Sequence, residues 1–145
     1  MLFYPVSMAL TLAMVQVLKF VDMEPSVSPL IDYMSRHSSV VGIGSVVVAA
    51  VFIAPMAEEI LFRLVLYESL RLTSVRIPAV LTALLFALLH SQPAEIPALF
   101  LLGLLLQHAR HRTGTLWGPI LIHMCFNGIS LGLFSLQMLF SPSVP

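Results

Sequence analysis

Glu58, Glu59 and Arg63 lie in a stretch that is otherwise almost wholly apolar, and two histidines, His90 and His123, recur in later apolar stretches. Ionisable groups are costly in hydrocarbon, so their presence there points to pairing or to chemistry. On a helix, residues four apart are neighbours, and Arg63 can therefore neutralise Glu59 within its own helix. Glu58, about 100 degrees round the axis, faces a different neighbour. One carboxylate is thus assigned to structure, and Glu58 is the candidate general base. Phe86 and His90 are also four apart, so an aromatic ring walls the face that presents the imidazole. His123 and Asn127 share a face in the same way. An asparagine amide can donate a hydrogen bond to a developing oxyanion but is a poor ligand for zinc, which favours acyl transfer over metal binding.

The elements that must hold these groups are membrane helices. The 145 residues are 59% hydrophobic and 10% charged, with a mean hydropathy of +0.99, whereas about a quarter of the residues of a soluble domain are charged. The expectation is an all-α, polytopic transmembrane helical bundle of about five helices. Seven basic residues balance seven acidic ones, which leaves no basic surface for nucleic acid and directs partners towards the lipid bilayer and membrane peptides or proteins. Cys125, the single cysteine, has no disulfide partner in the chain and reads as a small core residue. The apolar N-terminal segment lacks a basic start and an obvious small-residue cleavage site, and is expected to be a retained span.

At about 1.5 Å per residue, a hydrocarbon layer of about 30 Å calls for around 20 apolar residues. Five segments are predicted: Leu2 to Phe20, Val40 to about Leu72, Ile77 to His90, Ile96 to His108, and Leu116 to Phe140. A polar linker carrying Arg36 and His37 follows the first. Ser91, Gln92 and Pro93 turn between the third and fourth, and Gly114 stops the fourth. The organisation expected is an N-terminal helix with its linker over residues 1–37 and a core over residues 38–145. Arg71, Arg76, Arg110 and Arg112 fall on one side, against Lys19 and Arg36 on the other, which makes the four-arginine side cytoplasmic. Counted from the expected edges of the hydrocarbon, Glu58 and His123 lie about 12 and 10 Å deep, but His90 comes out at about 20 Å. Trp117 fits an interface anchor, and Gly103, Gly128 and Gly132 fit close-packing sites.

Glu58-Glu59-x-x-x-Arg63, Phe86-x-x-x-His90 and His123-x-x-x-Asn127, in that order and each within its own apolar segment, resemble the signatures of the CAAX protease and bacteriocin-processing family. These intramembrane endopeptidases are related to the type II CAAX prenyl endopeptidases. The resemblance implies that Glu58 and His90 activate water, that His123 and Asn127 stabilise the oxyanion, and that Glu59, Arg63 and Phe86 support the site. It implies a hydrolase of a bacterial cytoplasmic membrane acting on a membrane peptide or protein. Members commonly carry more spans, so the chain is expected to be a minimal member or to lack an N-terminal portion.

Other readings stand beside this one. A two-histidine, one-glutamate zinc site can be drawn from Glu58, His90 and His123. The absence of an H-E-x-x-H pattern places a metal-free glutamate mechanism, with no cofactor, ahead of it. A non-catalytic immunity or scaffold protein keeps the same helices without the chemistry. A proton-coupled carrier is a third class, but carriers usually show paired internal repeats and none is visible here.

Overall fold

The computed structural model describes residues 3–23, 39–72, 74–90 and 92–140. Among them are five helices and no strand: α1 (Phe3–Phe20), α2 (Val40–Leu70), α3 (Arg76–Leu88), α4 (Ile96–Thr113) and α5 (Trp117–Phe140). The chain is an all-α transmembrane bundle. By length and composition α1, α2 and the Trp117–Gln137 part of α5 can each cross a membrane, whereas α3 is apolar but shorter. Arg36 and His37 lie outside the described residues, as does Ser91.

Three of the five helices, α1, α2 and α4, begin or end for a local reason. Past α1, Asp22 adopts a left-handed conformation (φ 56°) and the Met23 amide donates to the Leu18 carbonyl at 2.9 Å, which caps the helix in the Schellman manner. Ser39 opens α2, its hydroxyl accepting from the Gly42 amide at 3.4 Å. Gly114 (φ 67°) closes α4, as its sequence position suggests, but five residues beyond the expected His108. The polar run from Arg110 is therefore mostly helical.

The bundle is apolar outside and encloses a few polar groups within an apolar core. On α2, Ile60, Leu61, Leu64 and Val65 are exposed while Glu59, Phe62, Arg63 and Tyr67 are buried. Lipid is as apolar as leucine, so the outward residues satisfy the solvent and the inward polar groups must satisfy each other. Phe62, Phe86, Ala87, Leu99, Leu102 and Leu106 form the buried core, with Phe3 and Phe126 packed on its edge. The middle of α4 supplies half of that core, and α4 packs against α1, α3 and α5. Cys125, expected in the core, is exposed on α5.

α2 ends at Leu70, close to the expected Leu72, and α3 starts at Arg76 across a short connection. Measured along the chain from those neighbouring ends, Glu58 and His90 come nearly level, at about 18 Å and about 21 Å.

Gly103 permits a close approach of α4 to α3. A Cβ there would stand 2.9 Å from both Cα and Cβ of Ala83, whereas one at Gly132 would meet nothing within 4 Å. Gly103 is thus a close-packing site, and Gly132 is not. Gly103→Val should cost roughly 1–3 kcal/mol or more through overpacking, while Gly132→Ala should be neutral or stabilising by up to about 1 kcal/mol through helix propensity. Unfolding of both variants in the same detergent measures the contrast.

Candidate active site

The site begins with Pro55. It has no N–H to donate to an earlier turn, and the turn before it, Ala49–Ile53, is π-helical, as is a later stretch, Ile60–Leu66. In the first of these the Ala54 amide donates back to the Ala49 carbonyl. In that register the donor due to Ala50 is the one Pro55 lacks, so the Ala50 carbonyl is left over. Asn127 takes it up: Nδ2 donates to the Ala50 oxygen at 2.8 Å. A neighbouring helix thereby satisfies the backbone group that an intramembrane proline frees. One amide hydrogen of Asn127 is used, and the second remains.

Glu58 and Glu59 sit between the two π-helical stretches. Glu59 is fully buried, with Oε2 3.1 Å from Arg63 Nε and Oε1 3.0 Å from His123 Nδ1. The Arg63 guanidinium also reaches α4, where Nη2 donates to the Gly103 carbonyl at 3.2 Å, and its carbon lies 5.0 Å from the centre of the Phe86 ring. The side chain of Glu58 is 30% exposed, and its Oε2 lies 3.7 Å from His123 Nε2. That separation exceeds a hydrogen bond, and this oxygen is itself buried without a hydrogen-bond partner. His123 thus stands between two adjacent carboxylates, one closed and one accessible. A carboxylate oxygen accepts, so Nδ1 carries a hydrogen towards Glu59 and Nε2 faces Glu58.

Phe86 is fully buried and joins the remaining groups. Its ring centre lies 4.7 Å from that of His90 and 5.5 Å from that of His123, and 5.3 Å from that of Phe62. His90 Nδ1 lies 2.7 Å from the Phe86 carbonyl. A carbonyl only accepts, so Nδ1 is the donor and the neutral ring offers Nε2 as an acceptor. Glu95, not selected from the sequence, lies in the Pro93–Glu95 turn and interacts electrostatically with His90; burial pushes its carboxyl above the usual range and His90 draws it back down. The available signal was its position five residues after His90, across the same turn.

The residues named from the sequence therefore gather around Phe86 and His123, with Asn127 tied to α2 one helical turn beyond His123. Among the described residues no three His, Cys, Asp or Glu side chains converge as a metal-holding group. Glu58, His90 and His123 do not form such a group.

Carboxylates and histidines thus meet on adjoining helices of a membrane protein, with the charge pair closed and one acid open. Residues 41–129 match the family described as type II CAAX prenyl endopeptidase Rce1-like, and the chain belongs to that family. It is also 39% identical over 87 residues to an uncharacterized 24.3 kDa protein of Escherichia coli, an alignment covering 56% of this chain and 39% of that protein. The chain thus spans about two fifths of the length of the curated relative it matches. No solved structure matches.

Breaking the buried pair should be far more harmful than breaking an exposed one. Arg63→Met leaves Glu59 uncompensated and should cost about 3–5 kcal/mol. Glu68→Gln removes an exposed ion pair with Arg71 and should cost less than about 1 kcal/mol. Chemical unfolding in detergent distinguishes the two.

Proposed function

We propose that the protein is an endopeptidase of a bacterial cytoplasmic membrane that hydrolyses peptide bonds of membrane-associated proteins or peptides. The observation that carries this reading is the asymmetry of the carboxylate pair. Glu59 is enclosed by Arg63 and His123, while Glu58 is 30% exposed and directed at His123 Nε2. Family membership supplies the reaction class, and the Escherichia coli relative supports the bacterial setting.

Peptide hydrolysis needs a base, a positioned water and donors for the oxygen that becomes negative. In this reading Glu58 takes a proton from the attacking water, and His90 holds that water through Nε2. The water oxygen bonds to the scissile carbonyl carbon. The resulting oxyanion accepts from the second amide hydrogen of Asn127 and from His123 Nε2 when that ring carries its second proton. At that stage Glu58 holds the water's proton, and Arg63 and the imidazolium balance Glu59 and the oxyanion. Return of the proton from Glu58 to the amide nitrogen lets the C–N bond break. Glu59 holds the imidazole in orientation, much as a buried acid does in a hydrolase triad.

The test is cleavage of a quenched fluorescent peptide panel by detergent-purified protein. Glu58→Gln should lower the rate about 10²–10⁴-fold, the usual contribution of a positioned base, while a strong chelator leaves the wild-type rate unchanged. Full activity in folded Glu58→Gln would overturn this reading, and loss of activity with chelator, restored by zinc, would overturn its metal-free chemistry.

A further inference from the structure

The arginine-rich end of the bundle holds polar groups for which the chemistry around Glu58 has no use. A cavity of about 270 Å³ opens between the end of α2 and the last turns of α4, bounded by Tyr67, Arg71, Gln107 and Arg110. Tyr67 is nine residues beyond Glu58, about 13 Å along α2. Gln107 is only 2% exposed, yet neither its Nε2 nor its Oε1 has a hydrogen-bond partner, and the Arg110 Nε is buried in the same condition. Buried amides in folded proteins are almost always paired, so this one marks a place that something else fills. One water occupies about 30 Å³, far less than the space available.

The unused atoms describe the ligand. Arg110 Nε and Gln107 Nε2 are donors, and Gln107 Oε1 is an acceptor. Tyr67 is already engaged, its hydroxyl 2.7 Å from His111 Nε2. Arg71 and Arg110 outnumber Glu68 in the wall, so the cavity carries net positive charge. Trp117, 64% exposed at the start of α5, marks the level at which aromatic side chains meet lipid headgroups.

We propose that this cavity binds a glycerophosphate group. Phosphate oxygens accept from Arg110 Nε and Gln107 Nε2, and an adjacent hydroxyl donates to Gln107 Oε1. Phosphatidylglycerol presents this chemistry from the bilayer, and glycerol 3-phosphate presents it from solution. A choline headgroup offers no hydroxyl and brings a cation towards two arginines.

The experiment measures retention of added phosphatidylglycerol or phosphatidylcholine by the full chain in neutral detergent, using native mass spectrometry. Wild type should prefer phosphatidylglycerol, and Gln107→Met and Arg110→Gln should each weaken that binding about tenfold, as loss of a charge-assisted contact does. Gln107→Met replaces an unpaired amide with an apolar side chain of similar size, so its melting temperature without lipid should equal or exceed that of wild type. Arg110→Gln gives a second variant through which the site can fail. Displacement of the lipid by glycerol 3-phosphate would support the site with a soluble source, and resistance to displacement would support it with the lipid as source. Equal retention of both lipids by wild type, or an undiminished preference in both folded variants, would overturn it.

Discussion

A guanidinium placed among apolar helices must find its counter-charge and hydrogen-bond acceptors within the protein, and Arg63 sets the terms for everything around it. It pairs with Glu59 on its own helix, donates to the Gly103 carbonyl on α4 and lies over the Phe86 ring of α3. Through Glu59 it is linked to His123 on α5. Four helices are thus fixed around one cation. The close contact of Gly103 with Ala83 follows from the same constraint, because a side chain at Gly103 would hold α3 and α4 apart.

That closure has a chemical consequence. Once Arg63 and the imidazole of His123 have enclosed Glu59, the preceding residue, Glu58, is turned about 100 degrees away and remains open. Two identical side chains, adjacent in sequence, receive opposite environments, and the proposed chemistry rests on this difference. Asn127 contributes in a similar way. By satisfying the carbonyl that Pro55 leaves over, it ties α5 to the widened turn of α2 and keeps one amide hydrogen for another acceptor.

Much of this was legible in the sequence, because the relevant rules are local. The four-residue spacing of Glu59 and Arg63, the apolar segments and the stop at Gly114 all follow from helical geometry and turn chemistry. The Glu59–His123 contact, spanning 64 positions, follows from no local rule. Nor does the bond from Asn127 to Ala50, since it depends on a π-helical register that a proline makes available but does not dictate. Glu95 meets His90 by folding back across the turn, whereas a lone carboxylate in a turn ordinarily points to solvent. Cys125 was misplaced because an apolar neighbourhood in sequence signals burial in water, whereas in lipid it is equally the mark of an outward face.

The central claim is that Glu59 holds the bundle together and Glu58 does not. The direct measurement is the unfolding free energy of Glu58→Gln and Glu59→Gln, side by side in one detergent. Glu59→Gln should lose about 3–5 kcal/mol, because it leaves the Arg63 charge buried without its partner, while Glu58→Gln should stay within about 1 kcal/mol of wild type. Equal losses in the two variants, or a greater loss at Glu58, would contradict the division of labour from which the site has been built.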